Sequence, residues 1–193
     1  MFNNIYIENL KIDNSEMEQI KKEVNIIAEF VKKNCSKKIN IHGKDDINSL
    51  YNYYNVFNFK QYLLDSVFIK IKNFFIKSYN PTIKYYISSC INIHKKGEKI
   101  KLHNKLPYNN SYHGYFALQL EPSTTFYKCS EQNLICFHKN KNGLILINDN
   151  HMGLYHLSKW NEEYERLFIS FDIVPFQDIQ EHHVYNNCFI PFV

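Results

Sequence analysis

Glycine and proline are scarce here, five residues of each in a chain of 193, and that scarcity excludes whole classes of site. Few glycines leave little backbone free to cradle a phosphate, and no P-loop, dinucleotide fingerprint or Gly-x-Ser-x-Gly elbow occurs. Cysteine is sparse too: Cys35, Cys90, Cys129, Cys136 and Cys188 are odd in number and form no CxxC. Reduced thiols in a cytoplasmic protein are expected, and a zinc site is not. No window approaches the roughly 20 apolar residues of a membrane span. The start, Met1-Phe2-Asn3-Asn4-Ile5, lacks the basic residues and apolar run of a signal peptide. An excess of one charge is missing as well. The net charge is +4, with bases scattered among acids, so a nucleic-acid partner has no electrostatic footprint. The acids at Asp45-Asp46 lack EF-hand spacing. Cys136 and His138 have no orienting third group, and no pair of carboxylates has the glycosidase pattern.

What is present is an ordinary globular composition, 45% hydrophobic and 22% charged. The length suits one domain with a full core: helical support over 1–80, a β core over 81–175 and a tail over 176–193. Asn, Ile, Lys and Tyr are used heavily, as in an AT-rich coding sequence, so no single Lys or Asn carries weight. Residues 2–12 read as a short strand. Ser15-Glu16-Met17-Glu18 has capping-box spacing, and Ile20, Val24, Ile27 and Val31 give the following helix one apolar face to about Asn34. Residues 35–58 read as a loop with a short strand. A second helix follows Asn58, striped by Leu64, Phe68, Ile71 and Phe75, and stops at Asn80-Pro81.

From Thr82 the apolar period changes from 3.6 to 2. A long strand spans about 83–93, and short strands recur at 100–103, 115–120, 124–128, 134–138, 143–147, 155–157 and 167–174. Asn140-Lys141-Asn142-Gly143 contains a hairpin-type Asn-Gly pair. The class is α+β: helices first, then a β-sandwich or barrel of the jelly-roll kind. A jelly roll places its site in the mouth, where strand ends gather distant residues. His103 ends one predicted strand, and His156 precedes the strand that opens at Arg166. Two imidazoles and a carboxylate make a facial iron(II) site with open positions, and an arginine offers a planar fork to a dicarboxylate. His94, His138, His182 and His183 read as surface or tail residues.

These pieces resemble a family. Ile91-Asn92-Ile93-His94-Lys95-Lys96-Gly97, His103, Tyr112-His113-Gly114-Tyr115-Phe116, Glu121-Pro122-Ser123, His156-Leu157-Ser158-Lys159-Trp160 and Arg166 through Pro175 are similar to the double-stranded β-helix of prolyl-4-hydroxylase-like 2-oxoglutarate- and iron(II)-dependent oxygenases. The resemblance covers about half the chain. It implies an oxygenase with Fe(II) and 2-oxoglutarate as cofactors, acting on a small molecule or a peptide or protein side chain. His103 and His156 would be metal imidazoles, Arg166 would pair with the far carboxylate of 2-oxoglutarate, and Tyr115 would hydrogen-bond it. Two positions depart from the pattern. Lys105 stands where Asp, Glu or His is usual, and Phe168 replaces a hydroxyl two residues after Arg166. Three accounts of Lys105 stay open: His113 completes the triad, two histidines suffice with water or an anion, or the fold persists as a binding or structural module without the metal.

Overall fold

The computed structural model describes residues 5–39, 47–51, 53–95, 111–119, 124–129, 135–139, 141–149, 154–158, 165–181 and 188–193; for 35–39, 48–49, 124–129, 135–139, 149, 154–158 and 180–181 it describes the backbone alone. In chain order the elements are β1 (Ile5–Asn9), α1 (Asn14–Ile39), α2 (Tyr62–Tyr79), β2 (Tyr85–His94), β3 (Tyr112–Gln119), β4 (Thr124–Cys129), β5 (Ile135–Lys139), β6 (Leu144–Asp149), β7 (Leu154–Ser158), β8 (Arg166–Pro175), α3 (Phe176–Glu181) and β9 (Ile190–Pro191). The α+β class stands.

Helix α1 starts earlier than its capping box suggests. The Glu16 amide donates to Asp13 Oδ1 at 2.8 Å, so Asp13 is the cap, and its carboxylate also suits the positive end of the helix dipole. The helix then runs past Asn34 to Ile39. Met17, Ile20, Val24, Ile27, Ala28 and Val31 form its buried face. Helix α2 buries Leu64, Val67, Ile71, Phe74 and Phe75. It stops at Asn80, which takes the left-handed conformation (φ 45°), with Pro81 behind it. Between the helices the expected strand is replaced, among the described residues, by 3-10 turns at Ile47–Leu50 and Val56–Phe59.

The strands form two antiparallel sheets, one in the order β1-β6-β3-β8-β2-β9 and one in the order β5-β4-β7. The chain crosses between them at β3–β4, β5–β6, β6–β7 and β7–β8. The Asn-Gly pair therefore closes no hairpin. β5 and β6 belong to different sheets, and Gly143 (φ 81°) turns the chain from one to the other.

Period-2 alternation divides the six-stranded sheet into two faces. Ile87 and Ile91 of β2, Phe116 of β3, Ile145 and Ile147 of β6, and Leu167, Ile169, Phe171 and Ile173 of β8 join the helices in one core. The other face carries Tyr115, Ala117, Leu144, Leu146 and Phe168, which form a separate buried cluster. Beyond Ile87, the edge of β2 is covered by side chains. Asn55 Nδ2 donates to the carbonyls of Ile87 (2.9 Å) and Cys188 (2.7 Å), and the Tyr54 hydroxyl accepts from the Ile91 amide at 2.7 Å. These bonds satisfy backbone groups that an edge strand otherwise leaves open. The tail packs back on the same edge, with β9 pairing Tyr86 and Ile87 and Phe192 entering the core.

Gly114 lies opposite Phe171 in the β3–β8 ladder, and a Cβ there would collide with the Phe171 ring and the Leu146 carbonyl. Gly114→Ala is expected to cost roughly 1–3 kcal/mol by overpacking. Its thermal midpoint should fall by about 3–10 °C, read by circular dichroism; an unchanged midpoint would show that Phe171 yields freely.

Candidate functional site

The face of the six-stranded sheet away from the helices is unusually polar for a buried surface. Strand β8 presents Arg166, Phe168, Ser170 and Asp172 there, each two residues after the last. The ladders place His94 opposite Arg166, Asn92 opposite Phe168 and Cys90 opposite Ser170 from β2, and Tyr115 opposite Ser170 and His113 opposite Asp172 from β3. Arg166, Ser170, His113 and Asn148 are all buried, Arg166 at 3% exposure. Buried polar side chains gathered on one face are the informative departure from a normal core.

Arg166 opens β8. Burial lowers the pKa of its guanidinium from the ordinary value, since a buried cation loses hydration. It stays charged at neutral pH, and low exposure strengthens its attraction for an anion. An ion pair with Asp172 is excluded by register: Asp172 lies six residues along β8, roughly 20 Å away in an extended strand. Asp172 instead engages His113, with Nδ1 to Oδ1 at 2.7 Å. An ionised carboxylate only accepts, so His113 Nδ1 carries the hydrogen, and in the neutral ring Nε2 is left as the lone-pair nitrogen. That is the tautomer a metal-binding or proton-accepting imidazole needs.

Phe168, at the position of the missing hydroxyl, is a packing piece. His94 stacks on its ring at 5.8 Å between centroids and an interplanar angle of 19°, and Tyr115 meets it edge-on at 6.1 Å. The next hydroxyl on that face, Ser170, accepts from Asn92 Nδ2 at 2.8 Å and lies 3.0 Å from Cys90 Sγ.

His94 corrects the sequence reading. It is a half-buried residue of this face, level with Arg166, not a surface residue. The alternation of Cys90, Asn92 and His94 with Ile91 and Ile93 was the signal that placed it here. His103, Lys105, Glu121, His151, His182 and His183 lie outside the described residues, and for His156 the backbone alone is placed, on β7 opposite Tyr127 of β4. Among the described residues, no group of three or more His, Cys, Asp or Glu side chains could hold a metal. Nor is any described helix long and apolar enough to cross a membrane.

No family model matches the sequence, and no curated protein matches it. Solved structures do match the fold. A non-heme monooxygenase, ThoJ, in complex with nickel superposes with a TM-score of 0.62 at 14% identity, over 90% of this chain and 74% of that one. A prolyl-4-hydroxylase of Pseudomonas putida gives 0.61 at 5% identity, over 90% and 87%. The viral collagen prolyl hydroxylase of Paramecium Bursaria Chlorella virus-1, in complex with 2-oxoglutarate, gives 0.55 at 11% identity, over 88% and 95%. The chain thus shares its fold with these monooxygenase and prolyl hydroxylase structures.

The His113–Asp172 pair makes a separable prediction. Asp172→Ala should lower stability by about 1.5–3 kcal/mol, the range for a hydrogen bond to a charged group, and Asp172→Asn by less because an acceptor remains. Equal losses in urea unfolding would mean that the carboxylate does not hold the imidazole.

Proposed function

We propose that this chain is an iron(II)- and 2-oxoglutarate-dependent oxygenase, a hydroxylase of a small molecule or of a peptide or protein side chain, on a double-stranded β-helix of the jelly-roll type. The observation that carries the reading is Arg166: a guanidinium at 3% exposure, on the non-helical face, at the start of β8. The four crossings between sheets support the jelly roll, with β5-β4-β7 as its second layer. The described residues fit the far end of the cosubstrate. Arg166 offers a fork to its carboxylate, Tyr115 brings a phenol to the same face, and Ala117, Leu146 and Phe168 provide an apolar wall that excludes water.

His103 and His156 would hold the metal. His113 is the third imidazole in this assignment, its Nδ1 held by Asp172; it stands at the Asp172 end of β8, six residues from Arg166, so metal and cosubstrate would have to bridge the face between them. When bound, iron and 2-oxoglutarate supply the oxidising chemistry, and the protein's part is binding and orientation. A second reading, an inactive jelly-roll binding or structural protein, is favoured by Phe168, whose ring packs between His94 and Tyr115 at the place where a hydroxyl is usual.

Anaerobic iron(II) with 2-oxoglutarate should give a weak metal-to-ligand absorption band. At about 100 times Kd the pair should add about 2.7 kcal/mol of stability, raising the melting temperature by about 5–10 °C. His156→Ala should abolish both signals. Absence of band and of shift in the parent would remove the oxygenase reading. For the third position, His113→Ala is expected to weaken iron binding at least tenfold; undiminished binding would give that position to water.

A further inference from the structure

The end of the sheet at Arg166 holds a second nitrogen-bearing ring that the oxygenase reading does not use. His94 and Arg166 are direct partners in the β2–β8 ladder and occupy the same face. Opposed residues of an antiparallel pair have Cβ atoms roughly 4.5–5.5 Å apart, within reach of one small anion. The His94 ring is also held: it lies nearly parallel to Phe168, two residues on from Arg166 on β8. Offset stacking covers part of one face of the imidazole and leaves its ring nitrogens directed along the ring plane, where hydrogen bonds form.

We propose that His94 and Arg166 together form the carboxylate subsite, His94 supplying the donor that is missing where Phe168 replaces a hydroxyl. The inference rests on the oxygenase reading and names a residue of its cosubstrate pocket. The two changes compensate. A phenyl ring at 168 cannot donate a hydrogen bond, but it provides the flat surface that orients an imidazole on the neighbouring strand. A carboxylate has lone pairs for about four donors. The Arg166 fork takes two, and a His94 N–H fills a third from the side. Ser170, the next hydroxyl on the face, is not a substitute, because it bonds Asn92 and Cys90. The ligand chemistry is a dicarboxylate whose far end is read by this pair.

Calorimetric titration of 2-oxoglutarate, and of glutarate as the plain dicarboxylate, into manganese(II)-supplemented protein tests the assignment without turnover. His94→Phe keeps an aromatic ring on Phe168 and removes both nitrogens. It is expected to weaken binding of both ligands about tenfold, the value of one good hydrogen bond to a charged group, with an unchanged melting temperature. His94→Gln, which retains a donor, should lose less. Arg166→Met should weaken binding about 100-fold. If His94→Phe binds as tightly as the parent, His94 only packs on Phe168 and the inference fails while the oxygenase reading survives. If the parent binds neither ligand, both fail. Should His94→Phe not fold, His94→Gln against His94→Leu makes the same comparison, and equal affinities there would overturn the assignment.

Discussion

The register of β8 against its two neighbours is the constraint on which the structure depends. β8 pairs with β2 over ten residues and with β3 along most of its length, and each pairing fixes which of its side chains meet the helices. Leu167, Ile169, Phe171 and Ile173 enter the helix core, so Arg166, Phe168, Ser170 and Asp172 must take the other face. A slip by one residue would drive a guanidinium and a carboxylate into the helices and expose four large apolar side chains. The apolar half of the strand therefore positions the polar half.

The same economy governs β2. Its helix-side residues are held by packing and by Tyr54 and Asn55, which bond its backbone from the edge. The opposite side is then free to differ in chemistry, and Cys90, Asn92 and His94 face Ser170, Phe168 and Arg166 across the ladder. Two hydrogen-bonded groups result, Cys90–Ser170–Asn92 and His113–Asp172, with Phe168 separating the first from Arg166. Buried polar atoms are costly unless bonded. Pairing offsets that cost for these five side chains.

Much of this was legible in the sequence. Period-3.6 stripes located α1 and α2 though not the short α3, and period-2 runs located eight of the nine described strands to within a few residues, because both patterns follow directly from burial. The misses have physical causes. Asp13, not Ser15, is the cap because the helix begins at Asn14, which puts Ser15 inside the first turn. The Asn-Gly signal reports a local φ preference and not the sheet to which the next strand belongs, so Gly143 was read as a hairpin. His94 was misplaced because its flanking lysines dominate the local pattern, whereas its environment is set by a strand more than seventy residues later. Arg166 was singled out by resemblance, but its ladder neighbour His94 was not, since cross-strand registry between β2 and β8 has no signature in either strand alone.

Phe168 and Arg166 argue in opposite directions about the site, and their packing weighs one against the other. Phe168 is the departure that most favours an inactive fold. Yet its ring is packed on both sides: it stacks on His94, the ladder neighbour of Arg166, and meets Tyr115 edge-on. A replacement that only filled space would need no aligned imidazole. Arg166 is costly in the other sense, because burial penalises its charge while the helix-side neighbours Leu167 and Ile169 already provide the packing of that strand end. An apolar residue at 166 would serve the fold at lower desolvation cost. On the proposed oxygenase reading, an anion at Arg166 would account for the charge at that strand end, and His94 would offset the hydroxyl lost at Phe168.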